Sequence, residues 1–200
     1  MLKTLTNIKL FIFDLDGTIA DLPINWTKVK EKIRKILETD HPLTPLIPSI
    51  EELATNSKLK KKLYRVIDHE EMKIVKKLRF DEDIVKLFKR LKKVNCRLAL
   101  VTLQGRKPAI EALKRLNIYK YFDLVISRNE NKNREKQIEI ALRKIGVEPS
   151  QSVVVADKFR DMLVAKRLGC MSIAIMEKPD INGDFKVTDI KEISKLLEVS

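Results

Sequence analysis

Two aspartates of this sequence stand two residues apart at the end of a short apolar run. Asp14 and Asp16 belong to the segment 13–18, which follows the run that begins at Ile8. Side chains two residues apart in an extended chain point to the same side, so both carboxylates project together. Gly17 then allows a sharp turn of the backbone. Two carboxylates therefore share one end of this predicted strand.

Further oxygen-bearing side chains follow two other apolar runs. Thr102 directly follows residues 97–101, and Asp157 follows the run at residues 153–155, with Asp161 four residues later. Parallel strands of one sheet would bring all these side chains to the same rim. Four carboxylates at one rim would repel one another unless a cation were present. Such an all-oxygen cluster suits Mg²⁺, which keeps several waters and also binds substrate phosphate.

The elements that position these residues can be inferred from hydrophobic periodicity. Apolar runs separated by helical patterns are typical of a parallel sheet covered on both faces. The runs that predict buried strands are residues 8–13, 97–101, 124–126, 153–155 and 172–175. Stripes with the helical period predict helices across residues 84–91, 110–116, 138–145, 163–168 and 190–197. The alternation predicts an α/β fold of the doubly wound, Rossmann-like kind.

Residues 21–77 interrupt this alternation and show no strand pattern. The helices predicted here cover residues 26–37, 50–54 and 57–78, with a proline-punctuated loop after the first. Because ligands of doubly wound folds bind at the carboxyl ends of the strands, an insertion after the first strand can act as a lid. We therefore predict a core domain of residues 1–20 and 78–200 that carries a helical cap of residues 21–77.

The composition is that of a chain that folds in water. Its 200 residues are 44% hydrophobic and 34% charged, which suits one domain with a modest insertion. No run approaches the roughly 18 apolar residues that span a bilayer, and the N-terminus lacks the apolar region of a signal peptide. The two cysteines have no C-x-x-C spacing, which indicates neither a disulfide framework nor a zinc site. We expect a cytoplasmic protein without a membrane partner.

The net charge of +13 could attract nucleic acids, an anionic membrane surface or phosphorylated metabolites. The basic residues are scattered along the predicted helices among glutamates, and aromatic residues make up only 6% of the chain. A nucleic-acid surface more often clusters its charge and offers rings for stacking. Solvated helix faces are therefore favoured over nucleic-acid binding. Abundant Lys, Glu and Ile with five glycines is also typical of a heat-adapted chain.

Four segments together resemble a known motif set. The segment Asp14-Leu-Asp-Gly-Thr18, Thr102 after a strand, a basic residue before the fourth strand, and Asp157 with Asp161 resemble the haloacid dehalogenase superfamily. The similarity covers nearly the whole chain in the same order. More narrowly, the chain is similar to the branch of phosphoglycolate phosphatases and β-phosphoglucomutases, with a helical cap after the first motif. The resemblance implies a Mg²⁺-dependent phosphatase that acts on a small phosphorylated metabolite.

The resemblance also implies a role for each matched residue. Asp14 would attack phosphorus and form an aspartyl-phosphate, and Asp16 would protonate the leaving oxygen and then deprotonate water. Asp14, Asp16 and Asp157 would surround Mg²⁺, with Asp161 supporting the site. Thr102 would hydrogen-bond the transferred phosphoryl group.

The cation that neutralises the phosphate has four candidates. Family spacing, counted back from the end of the helix before the fourth strand, assigns this role to Lys132. Arg134 is the second choice, Lys136 falls in the first helical turn, and Arg128 is more remote. We therefore expect Lys132→Ala to reduce activity more than Arg134→Ala does.

Three positions depart from the family pattern. Ala156 stands where glycine often precedes the aspartate, and Leu103 replaces a small or amide residue after Thr102. Asn133 replaces the usual proline after the basic residue. These departures affect the phosphate contacts and the register of the loop.

Several alternatives stay open at this point. Asp161 could act as a helix N-cap, and residues 68–71, Asp-His-Glu-Glu, are interpreted as a solvated helix face instead of a metal site. A phosphomutase would keep the same residues, and a basic nucleic-acid-binding or regulatory protein could use a degenerate form of the same scaffold. Asp16 argues against a 2-haloacid dehalogenase, which lacks the second aspartate. Both a monomer and a dimer are compatible with the sequence.

Overall fold

Six parallel strands form one sheet in the computed structural model, which describes residues 5–175 and 183–197. The strands are β1 (Leu10–Phe13), β2 (Arg97–Val101), β3 (Leu124–Ile126), β4 (Ser152–Ala156), β5 (Met171–Ile175) and β6 (Phe185–Val187). Their order across the sheet is β3-β2-β1-β4-β5-β6, and all neighbours are parallel. This topology confirms the predicted doubly wound α/β fold.

The five predicted strands are present, and β6 is an addition. β1 begins at Leu10, two residues later than predicted, whereas β4 and β5 are slightly longer than their apolar runs. β6 is only three residues long and has Lys186 at its centre, so hydrophobic periodicity could not reveal it. It pairs with β5 at the edge of the sheet.

Eight α-helices lie among the described residues. They are α1 (Trp26–Leu37), α2 (Leu46–Leu53), α3 (Ser57–Val75), α4 (Glu82–Lys93), α5 (Arg106–Arg115), α6 (Arg134–Ile145), α7 (Phe159–Leu168) and α8 (Ile193–Leu196). Asn133 caps the start of α6 through its side chain, and Gly146 ends that helix at a φ of 72°. The helix predicted over residues 190–197 is instead a 3₁₀ turn followed by the short α8. Within the described ranges, no helix has the length and apolar character needed to cross a bilayer.

Alternate residues of β1 pack on opposite faces of the sheet. Leu10 and Ile12 join an apolar cluster with side chains of α6 and α7. Phe13 lies on the other face, where its ring centroid is 5.1 Å from that of Phe88 on α4. Both faces of β1 are therefore covered, which fixes the strand that ends directly before Asp14.

Residues 21–77, all of which are described, contain α1, α2 and α3 and no strand. α2 begins at Leu46, four residues before the predicted start, and α3 ends at Val75. The buried side chains of Ile33 and Ile67 belong to the same apolar cluster as Phe13. We call residues 21–77 the helical insertion; its separation from the core as a cap domain stays a prediction.

Candidate active site

The candidate site lies at the carboxyl edge of the sheet, where the strand order reverses. Asp14 follows β1, Thr102 follows β2 and Asp157 follows β4. β1 lies between β2 and β4 in the sheet, so these three residues follow adjacent strands. Crevices at such switch points are the usual ligand sites of doubly wound folds.

The turn after β1 is held by backbone hydrogen bonds. The Asp14 N–H donates to the Val155 carbonyl at 3.0 Å, which extends the pairing of β1 with β4 by one residue. The Asp16 carboxylate accepts from the Leu22 N–H at 2.9 Å. Gly17 has a φ of 74°, and a Cβ at this position would lie 2.3 Å from Asp157 Oδ2. Glycine is therefore required both for the turn and for the close approach of Asp157.

Asp16 is the carboxyl group at this edge whose protonation is most clearly perturbed. Burial raises the pKa of Asp16 from its ordinary value of 3.8 to about 6. The Leu22 N–H opposes this rise, whereas the charges of Asp14 and Asp157 add to it. A carboxyl group with a pKa near 6 can exchange a proton at neutral pH.

Arg134 supplies a buried cation to two of the aspartates. Its Nη2 lies 2.9 Å from Asp14 Oδ2, and its Nε lies 3.2 Å from Asp161 Oδ1. Nη1 donates to the carbonyl of Val101 at the end of β2. Although burial disfavours the charged guanidinium, Asp14 and Asp161 hold the pKa of Arg134 above its ordinary value. Arg134 is the first residue of α6, so the start of that helix sets the direction of its side chain.

Two other candidate cations, Lys132 and Lys136, pair with glutamates instead of with the aspartates of the site. The Nζ of Lys132 is 3.6 Å from Glu51 Oε1 on α2 and 5.4 Å from the ring centroid of Tyr64 on α3. Lys136 pairs with Glu139 at 2.8 Å on the exposed face of α6. The structure thus brings the second choice of the sequence analysis, not the first, to the carboxylates.

Lys158 is a second cation at the site, and the sequence analysis did not assign it a role. It directly follows Asp157 and donates a hydrogen bond to that carboxylate. Although burial favours the neutral amine, Asp157 and Asp16 raise the pKa of Lys158 above its ordinary value. Because Lys158 directly follows Asp157, a predicted metal ligand, its place in the sequence could have identified it as a residue of the site.

Asp161 lies inside α7 and is not its N-cap. Lys158 occupies the N-cap position, whereas Asp161 is in the first helical turn and fully buried. Burial raises the pKa of Asp161, and Arg134 opposes that rise. The alternative role of Asp161 as a helix cap is therefore wrong. Arg134 pairs with both Asp161 and Asp14, so it lies between these two carboxylates.

Thr102 is buried at the end of β2 and is held from three sides. Its N–H donates to the Ile126 carbonyl at 2.9 Å, and its own carbonyl accepts from Gln137 Nε2 at 2.9 Å. Its hydroxyl donates to the side-chain oxygen of Gln104 and accepts from the Gln104 N–H at 3.2 Å. Gln104 is also buried and is a polar neighbour that the sequence analysis did not identify.

The charged segment at residues 68–71 is not wholly a solvated face, contrary to the expectation from the sequence. Glu71 is 1% exposed and pairs with Arg128, which is 3% exposed. Burial raises the pKa of Glu71, and Arg128 and the Gly105 N–H oppose that rise. The segment therefore contains a buried ion pair between the helical insertion and the loop after β3.

The donor set at the carboxyl edge fits Mg²⁺. Among the described residues, the cations that face its four aspartates are Arg134, Lys158 and, at 3.9 Å from Asp161, Arg160, so the carboxylates outnumber the cations. Oδ1 of Asp157 is buried and has no hydrogen-bond partner in the described part of the chain. Nor do the described residues contain a preformed group of three or more metal-ligating side chains. Mg²⁺ is commonly held by one or two carboxylates with waters and substrate phosphate, so this arrangement agrees with that ion.

Comparisons with known proteins agree with this geometry. A family model described as haloacid dehalogenase-like hydrolase matches residues 11–175. A Clostridium perfringens relative named "Putative pyrophosphatase PpaX" is 30% identical and covers 96% of this chain and 98% of its own. A phosphoglycolate phosphatase of Neisseria meningitidis is 24% identical and covers 88% of this chain and 83% of its own. The crystal structure of a HAD phosphatase from Thermococcus onnurineus, at 24% identity, covers 95% of this chain and 98% of its own with a TM-score of 0.67, which shows a shared fold.

Proposed function

Because this chain belongs to the haloacid dehalogenase-like hydrolase family, we propose that it is a Mg²⁺-dependent phosphatase that hydrolyses a small phosphomonoester through an aspartyl-phosphate on Asp14. One observation carries the proposal most directly. Asp14 is placed at the switch point of the sheet with Arg134 at 2.9 Å on one side and, two residues along, an Asp16 whose pKa burial raises to about 6. The site therefore combines a nucleophile, a phosphate-neutralising cation and a proton donor.

The reaction then proceeds in two steps, transfer of the phosphoryl group to Asp14 and hydrolysis of the aspartyl-phosphate. An oxygen of Asp14 forms a bond to phosphorus while the bond between phosphorus and the leaving oxygen breaks, and Asp16 gives its proton to that oxygen. In the second step Asp16 takes a proton from water, whose oxygen attacks phosphorus, and Asp14 leaves as a carboxylate. The raised pKa of Asp16 suits a group that must both give and take a proton near neutral pH.

The remaining residues hold the phosphate and the metal. We assign the neutralising cation to Arg134 instead of Lys132, since Lys132 lies against Glu51 in the helical insertion. Thr102 would donate its hydroxyl proton to a phosphoryl oxygen in place of the Gln104 side-chain oxygen, which accepts that proton in this structure. Asp157 and the carbonyl of Asp16 would hold Mg²⁺, which offsets the charge that otherwise repels a carboxylate from a phosphate.

The proposed substrate is a small phosphorylated metabolite, and the helical insertion would act as a cap over the carboxyl edge of the sheet. An open cleft of 730 Å³ borders Gly17, Asp157 and Lys158 and offers space for such a molecule; its other described lining residues belong to the turn after β1, the start of α4, β5 and residues 188–191, and not to α1, α2 or α3. Two relatives are named "Putative pyrophosphatase PpaX" and "Phosphoglycolate phosphatase", and both names support small phosphorylated anions as the substrate class. We propose a cytoplasmic enzyme, acting as a monomer or dimer.

A phosphate-release screen tests this function. The substrates are pyrophosphate, phosphoglycolate, sugar phosphates, nucleotides and p-nitrophenyl phosphate, each with Mg²⁺ and with EDTA. We expect free phosphate from at least one substrate, only with Mg²⁺, and none from Asp14→Asn. Isomerised product without free phosphate would indicate a phosphomutase instead. Binding of nucleic acid in a gel-shift at physiological salt, without any phosphate release, would indicate the nucleic-acid alternative.

A further inference from the structure

A buried ion pair joins the helical insertion to the loop after β3. Glu71 lies on α3, and Arg128 follows β3 by two residues. Arg128 Nη1 lies 2.6 Å from Glu71 Oε1, and its Nη2 lies 3.0 Å from Glu71 Oε2. Asp68, almost one turn earlier on α3, accepts a further hydrogen bond from Nη2. Such a bidentate contact fixes the orientation of both side chains as well as the distance between them.

Both members of the pair also hold the backbone directly after Thr102. Arg128 Nη1 donates to the Leu103 carbonyl at 2.8 Å, and the Arg128 N–H donates to the Gln104 carbonyl at 3.2 Å. Glu71 Oε2 accepts from the Gly105 N–H at 3.0 Å. Three consecutive residues are therefore held by groups from α3 and from the loop after β3.

The close approach of α3 to this segment explains the glycine at position 105. A Cβ on Gly105 would lie 2.2 Å from Asp68 Oδ1 and 3.0 Å from Arg128 Nη2. A larger residue would displace the Asp68 carboxylate and the Arg128 guanidinium from the segment. Glycine at this position therefore allows the side chains of Asp68 and Arg128 to lie against the segment.

We propose that Glu71 and Arg128 are positioning residues for phosphoryl transfer, since they fix residues 102–105 and so hold the Thr102 hydroxyl and Gln104 in place. The inference rests on the proposed function of Thr102. Neither side chain of the pair needs to touch the substrate, and the effect passes through the backbone of the segment. Because Glu71 belongs to α3, the same pair couples the position of the helical insertion to that of Thr102. A displacement of about 1 Å at a catalytic group can reduce the rate about a hundredfold.

Glu71→Gln tests the proposal, with Glu70→Gln as its matched control. Glu70 is the adjacent residue on α3, and it pairs with Lys32 at 2.7 Å and Lys73 at 3.0 Å, both within the helical insertion. With p-nitrophenyl phosphate and Mg²⁺, we expect Glu71→Gln to lower kcat by about thirtyfold, within the range for a misplaced catalytic group, and to change KM less than kcat. Glu70→Gln should leave kcat within about threefold while lowering Tm. Equal effects of the two variants on kcat would overturn the proposal.

A double variant separates positioning from stability. Glu71→Leu with Arg128→Met replaces the pair by apolar side chains of similar size, a change that often restores or improves stability. We expect the Tm of this variant to return to within a few degrees of the wild type while kcat stays at the level of Glu71→Gln. Recovery of kcat together with Tm would show that the pair only stabilises the fold, and the proposal would be wrong.

Hydrogen exchange gives a measurement that does not depend on turnover. The Gly105 amide should be protected in the wild-type chain, should exchange at least tenfold faster in Glu71→Gln and should be unchanged in Glu70→Gln. If the wild-type chain released no phosphate, the proposed function would fail while this result still tested the contact. Unchanged exchange at residues 103–105 in Glu71→Gln would overturn the positioning role.

Discussion

Removal of the Arg134 guanidinium should be far more harmful than removal of the Lys132 ammonium. Arg134 Nη2 lies 2.9 Å from Asp14 Oδ2, and both side chains are less than a tenth exposed. At an effective dielectric constant of about 20, two unit charges at this distance attract by about 6 kcal/mol. Desolvation offsets part of this energy. If half of it stabilises the transition state, Arg134→Ala should lower kcat/KM by roughly 150-fold, or about 3 kcal/mol.

The control is Lys132→Ala. Lys132 is 41% exposed, and its pairing with Glu51 at 3.6 Å resembles a surface salt bridge, which contributes about 1 kcal/mol or less. We expect Lys132→Ala to lower kcat/KM by less than about fivefold. Arg134 would then matter more than Lys132, which is the reverse of the ranking that family spacing predicts.

Stability must be measured in the same experiment, because Arg134→Ala removes the cation paired with Asp14 and leaves Asp161, among the described residues, only Arg160 at 3.9 Å. Breaking a buried pair costs about 3–5 kcal/mol, so activities should be compared well below the Tm of each variant. Arg134→Lys retains a charge and should recover part of kcat/KM, although a compact ammonium cannot contact Asp14, Asp161 and the Val101 carbonyl with the same geometry. A hundredfold loss in Lys132→Ala beside a loss below tenfold in Arg134→Ala would refute the assignment.

The other predictions concern Asp16, Asp157 and Lys158. Because burial raises the pKa of Asp16 to about 6, the magnesium-free fold favours its protonated form, and this stabilisation is lost as the pH rises from about 4 to 6. The change in Tm that Asp16→Asn causes in the magnesium-free chain, measured by calorimetry, should therefore be more positive at pH 8 than at pH 3.5. Equal changes in Tm at the two pH values would contradict the raised pKa. EDTA should abolish phosphate release, Mg²⁺ should restore it, and Asp157→Asn should increase the Mg²⁺ concentration for half-maximal activity by about tenfold or more; full activity in EDTA would exclude the metal. Lys158→Ala should lower that Mg²⁺ concentration, since its ammonium pairs with Asp157, and titration calorimetry showing weaker Mg²⁺ binding would contradict this.

The sheet and the common edge of its strand ends could be predicted because buried parallel strands are continuous apolar runs. Asp14, Thr102 and Asp157 each follow such a run directly, so their shared rim followed from topology alone. The cation could not be chosen in this way. Lys132 and Arg134 are two residues apart, and counting along a loop does not show where the helix begins. The cap at Asn133 makes Arg134 the first residue of α6, and this local contact decides which side chain reaches Asp14.

The pairing of Glu71 with Arg128 illustrates a second limit of sequence reasoning. The two residues are 57 positions apart, and a contact at that separation leaves no periodic signal. One signal was nevertheless present: Glu71 continues the buried stripe of Leu63 and Ile67 at steps of four along α3. A charge inside an apolar stripe requires a partner, although the sequence alone does not identify Arg128 as that partner.

Trapping of the covalent intermediate tests the central proposal most directly. The wild-type chain would be mixed with substrate and Mg²⁺, quenched in acid within milliseconds, digested and analysed by mass spectrometry. We expect one phosphoryl group on the peptide that contains Asp14, labile to hydroxylamine as an acyl phosphate is, and absent when Asp14→Asn is treated in the same way. A wild-type chain that releases phosphate rapidly yet carries no phosphoryl group on Asp14, or carries it on another residue, would contradict the proposed mechanism.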